Sequence, residues 1–178
     1  MLSSVTPPSS GPIPGRVALA AAAAAYGVLM VWQAFTLPPD VPGHVGPTGE
    51  VTRWDTLTTH LITMVLTGLL VVLMFAGLPA VLGRLPASAI NLPHKEYWLR
   101  PANLPAAKRL LADDLGRLGA GLLAFVGFTF WCVGLVAQGQ EYPTLAFWVA
   151  FVVFVAAALA WGLSLQFGRR WRPPAGGN

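Results

Sequence analysis

Apolar residues do not alternate along this chain, nor do they recur only at helical spacing. They come in four unbroken stretches of about 20 or more residues: about 17–36, 57–78, 118–137 and 144–167. None carries Asp, Glu, Lys or Arg in its middle. About 20 mainly apolar residues are needed for a helix to cross a bilayer. The pattern therefore predicts an all-α integral membrane bundle of four transmembrane helices. A tail, residues 1–16, precedes the bundle and another, 168–178, follows it. Stretch one follows Arg16 and opens with alanines, as a cleaved signal peptide would. Its apolar run continues through Tyr26, Met30, Trp32 and Phe35, which favours a retained anchor.

Composition agrees. Of 178 residues, 55% are hydrophobic and 10% charged, whereas soluble domains carry about 25% charge. This excludes an ordinary cytosolic enzyme and an electrostatic nucleic-acid binder, in spite of the net charge of +4. Heavy use of Ala, Gly, Pro and Arg points to a bacterial, GC-rich source. Cys132 stands alone and cannot form an internal disulfide.

Charge placement predicts orientation. Arg16, Arg84, Lys95, Arg100, Lys108, Arg109, Arg117, Arg169, Arg170 and Arg172 would share one side, against Arg53 on the other. By the positive-inside rule both termini and the 79–117 loop face the cytoplasm, in a bacterial inner (plasma) membrane. Trp32, Trp54, Trp148, Trp171 and Tyr142 lie near span ends, where amphipathic rings meet headgroups. Small residues four apart (Gly116 and Ala120, Ala120 and Ala124, Ala146 and Ala150, Ala158 and Gly162) permit close helix packing, within the chain or against a second copy or another subunit.

Two connections are longer than a bundle needs. The outer loop, 37–56, is rich in proline and glycine, which favours defined turns. Two short extended pieces can lie against the membrane face, with Val41, Val45, Val51 and Trp54 to bury. Its polar groups include Asp40, His44, Glu50, Arg53 and Asp55. In the inner loop, Pro105 suits a first helical turn. Leu110, Leu111, Leu115, Leu118 and Leu122 then trace one helix face. That helix continues into span three or bends near Gly116 and Gly119. Arg109 with Asp113, and Asp114 with Arg117, are expected as surface pairs. Tyr97 and Trp98 are expected to anchor at the interface, with nearby basic residues attracting anionic lipid.

Leu37-Pro38, Pro42, His44, Gly46, Gly49-Glu50 and Arg53-Trp54 together resemble the outer-loop signature of a poorly characterised bacterial four-span membrane family. That outer-loop domain is shared with SdpI-type toxin-immunity proteins. The stretch from Asn91 and Pro93 through Tyr97, Trp98 and Arg100 is similar to a cytoplasmic segment of the same proteins. The resemblance covers about residues 20–170. Pro42, His44, Gly49, Glu50, Arg53, Trp54 and Asp55 are the candidates for recognition or loop structure outside, and Asn91, Pro93, Tyr97, Trp98 and Arg100 for anchoring the cytoplasmic loop.

The residues themselves give little sign of catalysis or cofactor chemistry. His44, Glu50 and His60 are a weak metal set with no zinc-like spacing. None of the three histidines lies at mid-membrane to ligate haem. His94-Lys95-Glu96 reads as a solvated loop. The intramembrane polar set of Gln33, Thr63, Thr67, Thr129, Cys132, Ser164 and Gln166 offers no charged pathway, and its hydroxyls are expected to bond their own helices. The expectation is a non-catalytic module without a cofactor. It is an accessory or assembly subunit of a larger membrane complex, or a sensor or immunity protein reading a peptide or envelope ligand. A small transporter component is the third alternative. Membrane lipids and other subunits, or a second copy, are the expected partners.

Overall fold

A computed structural model describes residues 14–82, 84–86 and 92–173. Helix α1 (Pro14–Thr36) leads into a hairpin of β1 (Asp40–Val45) and β2 (Val51–Thr56). Then follow α2 (Leu57–Leu82), the short α3 (Lys95–Trp98), α4 (Leu104–Ala137) and α5 (Thr144–Phe167). A 3-10 turn, Arg169–Trp171, follows α5. The helices α1, α2, α4 and α5 are each long and apolar enough to cross a membrane. The fold is a four-helix membrane bundle with a β-hairpin at one end.

Three boundaries differ from the expectation. Helix α1 is already helical at Pro14, the first described residue, ahead of the expected start near Val17. Helix α2 runs through Pro79 instead of stopping there. Span three is the far part of a continuous 34-residue helix. At 1.5 Å per residue that helix is about 51 Å long, against about 30 Å of hydrocarbon. Its first turns therefore project beyond the apolar layer, without a break at Gly116 or Gly119.

The core forms among α1, α2 and α4. Leu19, Tyr26, Met64, Val71, Phe75, Leu115 and Leu123 make one buried cluster. Tyr26 Oη donates to the Met64 carbonyl at 2.8 Å. Glycines on α4 set the approach. A Cβ on Gly119 would stand 2.5 Å from Phe75 Cβ, and one on Gly127 would stand 3.3 Å from the Tyr26 ring. Without side chains at these points, the larger rings of neighbouring helices fit against the α4 backbone.

Helix α5 lies at the edge of this core, touching it through half-buried Trp161, and none of its residues is buried. It docks on α4 through rings, with Phe125 stacked on Phe154 at 5.2 Å between centroids. As expected, hydroxyls turn back on their own helices: Thr63 to Thr59 O, Thr129 to Phe125 O and Ser164 to Trp161 O.

Candidate functional site

The hairpin is built by turn chemistry. Gly46 N donates to Glu50 O at 2.8 Å and Gly49 N to Gly46 O at 3.0 Å. Gly49 has φ 97°, a left-handed conformation that glycine adopts without strain. Register runs from Asp40 opposite Thr56 to Val45 opposite Val51, with irregularities on either side of His44. At the base, Leu57 N donates to Pro39 O at 2.7 Å, and Thr56 Oγ1 accepts Thr59 N at 3.2 Å as a cap for α2.

Both ends of the hairpin are tied to helices. Val41 is fully buried at the base. At the tip, Trp148 Nε1 donates to Pro47 O at 3.0 Å and Thr144 Oγ1 to Thr48 O at 3.3 Å. A Cβ on Gly49 would stand 2.7 Å from Thr144 Oγ1. The tip is thus fastened to the start of α5, while β1 packs on α4.

Of the residues singled out by sequence, His44, Glu50, Arg53 and Trp54 are exposed. Pro42 is buried opposite Trp54. Arg53 Nη2 reaches Gly43 O at 3.0 Å and Asp55 Oδ2 at 2.9 Å. His44, which faces Arg53 across the strands, pairs its Nδ1 with Thr52 Oγ1 at 2.6 Å. Glu50 turns back on Thr48, whose hydroxyl donates to its carboxylate and holds the Glu50 pKa below its ordinary value. Trp54 departs from expectation. It is 54% exposed, so Val41, not Trp54, seats the loop.

His60 belongs elsewhere. It is buried in the bundle, where its Nε2 lies 2.8 Å from Gln33 Oε1. Gln33, fully buried, gives its Nε2 to Phe130 O at 2.8 Å. His44, Glu50 and His60 thus have three separate partners and do not form a metal set. No group of three His, Cys, Asp or Glu side chains converges among the described residues.

At the opposite end, sequence reasoning missed a second constellation. Asp113 and Asp114 are 4% and 5% exposed, not surface pairs. Asp113 Oδ1 accepts Gly15 N at 2.6 Å, and its Oδ2 faces Arg117 at 3.1 Å and Arg170. Asp114 accepts Arg170 Nη1 at 2.8 Å and Trp171 Nε1 at 2.9 Å. Trp98 donates to Trp171 O at 2.8 Å, and their rings meet edge to face. Trp98 therefore docks α3 against the end of the chain. Tyr97, half-buried, lies edge-on to Trp98, and its carbonyl accepts Asn103 Nδ2 at 2.9 Å. Pro93 is half-buried before α3, Arg100 bonds Glu96 O at 3.1 Å, and Asn91 lies outside the described residues. The missed signal was two adjacent acids followed, late in the chain, by Arg170-Trp171.

The geometry defines a class: a multi-pass helical membrane protein with a rigid hairpin cap. No family model, no curated protein and no solved structure matches the chain.

Proposed function

We propose that this is a non-catalytic module of a bacterial plasma membrane, an accessory or assembly subunit that meets its partner at the hairpin. One observation carries the reading. The hairpin is tied to α2, α4 and α5, yet its Trp54 and Arg53 face outward. An exposed ring and guanidinium on a pre-ordered turn lose little entropy on binding, and Trp and Arg are frequent interface anchors. The largely apolar exposed surface of α5, with Leu145, Val149, Val152, Leu159 and Leu163 outward, supports a neighbouring helix there.

A second reading shares the hairpin. The outer-loop resemblance favours a sensor or immunity protein whose ligand is an envelope peptide. Purification in mild detergent separates the two. As a subunit, the chain co-migrates with a stoichiometric membrane protein, and Trp54→Ala with Arg53→Gln releases it at unchanged abundance. As a peptide reader, the chain purifies alone, and the same pair abolishes peptide binding. Full retention by that pair, with loss on Thr67→Val, overturns both.

A further inference from the structure

At the end opposite the hairpin, α1, α4 and the turn after α2 bring basic side chains around one cleft of about 320 Å³. Arg16 comes from α1, Arg84 from the turn after α2, and Lys108 and Arg109 from α4. Pro79, Ala80 and Ala112 complete the wall. None of the seven lining residues is acidic. The two carboxylates nearest in sequence, Asp113 and Asp114, are turned onto Gly15, Arg117, Arg170 and Trp171. Basic side chains gathered around one cleft attract an anion such as a phosphate, and Arg16 and Arg84 stand at its mouth to meet it. Beside the cleft, Val17 and Val81 are exposed apolar side chains. The cleft therefore sits where hydrocarbon gives way to headgroups.

A second observation lies on the same seam. An apolar groove of about 230 Å³ runs between α1 and α2, lined by Ala23, Tyr26, Gly27, Met30, Val65 and Gly68 among others. Arg16, Ala23 and Met30 recur every seven residues on α1, and Val65, Val72 and Pro79 do so on α2. Seven residues are almost two full turns, so each set keeps to one side of its helix. By helical rise the groove begins about 10 Å from Arg16 and ends about 21 Å from it. From the headgroups to the bilayer midplane is about 20–22 Å, the inner ~15 Å of it hydrocarbon. The groove is thus placed for the lower part of an acyl chain whose headgroup is at Arg16. Gly27 keeps it open, since an added Cβ there meets nothing within 4 Å, whereas Gly68 makes room for the Tyr26 ring that forms part of its wall.

We propose that the α1–α2 seam holds one anionic phospholipid, its phosphate in the basic cleft and one acyl chain in the groove. Basic pockets between membrane helices take anionic headgroups by this chemistry. The assignment is independent of the hairpin reading, since the site is at the other end of the bundle.

Native mass spectrometry of the full chain, exchanged into phosphatidylglycerol or phosphatidylcholine, tests it. One phosphatidylglycerol is expected to stay bound, about tenfold more tightly than phosphatidylcholine. Arg16→Gln with Arg84→Gln is expected to abolish that preference. Gly27→Leu fills the groove from a position where an added Cβ meets nothing within 4 Å. It is expected to weaken phosphatidylglycerol retention, and millimolar inorganic phosphate is expected not to displace the lipid. Equal retention of the two lipids by the unaltered protein overturns the proposal, and that comparison needs no variant to fold. Displacement by inorganic phosphate with Gly27→Leu silent overturns it in favour of a free-phosphate site.

Discussion

Gln33 joins His60 to the Phe130 carbonyl, with both hydrogen bonds at 2.8 Å, inside the hairpin end of the bundle. The amide that donates to Phe130 presents its oxygen to His60, so His60 Nε2 carries the proton. A Cβ on Gly134 would stand 2.6 Å from Gln33 Nε2, so the glycine makes room for the amide. Gln33→Leu leaves the imidazole N–H unpaired and is expected to destabilise by about 1–3 kcal/mol. Gln33→Leu combined with His60→Leu removes both polar partners and is expected to cost less than the two single changes summed. Thermal unfolding of the four proteins in one detergent measures the coupling. Strict additivity would mean the two side chains do not act as a pair.

The closest approach of α1 to α4 is backbone on backbone. A Cβ on Gly15 would stand 1.9 Å from Asp113 O, and one on Gly116 would stand 2.4 Å from Gly15 C. Gly15→Ala and Gly116→Ala are each expected to force the helices apart, at a cost of about 1–3 kcal/mol or more. Gly121→Ala is the control, because an added Cβ there meets nothing within 4 Å. It is expected to be neutral or to gain up to about 1 kcal/mol from helix propensity. Equal melting temperatures for all three variants would refute the close contact.

Asp113 and Asp114 bring the start of α1 and the turn after α5 to one place. Asp114→Ala strands Trp171 Nε1, and Asp113→Ala strands Gly15 N. Arg170 is 40% exposed, so solvent screens its share and the hydrogen bonds dominate. Each change is expected to cost about 2–3 kcal/mol. Trp171→Ala empties a buried site and is expected to cost about 3–5 kcal/mol. Limited proteolysis should then cut after α5 in all three variants. Wild-type resistance in every case would show that the terminal turn is held by something else.

Orientation is testable with two single cysteines in a Cys132→Ala background. The basic residues gather at the end opposite the hairpin, ten against one. Thr48→Cys is expected to react with a membrane-impermeant maleimide added outside cells, and Ala102→Cys only after lysis. Both residues are exposed, so burial does not mask either. The reverse pattern would invert the topology.

The four spans were legible because membrane helices announce themselves by length and hydropathy alone. The hairpin was legible in outline, since Gly49 and the flanking prolines dictate turns. What seats it was not. Val41 and Trp54 look equally buriable in sequence, and only the docking of β1 on α4 decides between them. Asp113 and Asp114 misled for a related reason. On a helix with leucines on one face, acids read as the solvent side. Their partners, Gly15 and Trp171, lie 98 and 57 residues away. Gln33 and His60 stood out as polar, but a pair 27 residues apart carries no local spacing rule.

The Asp113–Asp114 junction also sets a clock on biogenesis. Asp114 precedes Trp171 by 57 residues. At translation rates of about 5–20 residues per second, the two carboxylates wait roughly 3–11 s for the indole and guanidinium that complete them. During that interval the rest of α4 and then α5 are added to a bundle that already has α1, the hairpin strands and α2, and its end stays unlatched. A protease or insertion chaperone that inspects this end would therefore read whether synthesis has passed residue 171.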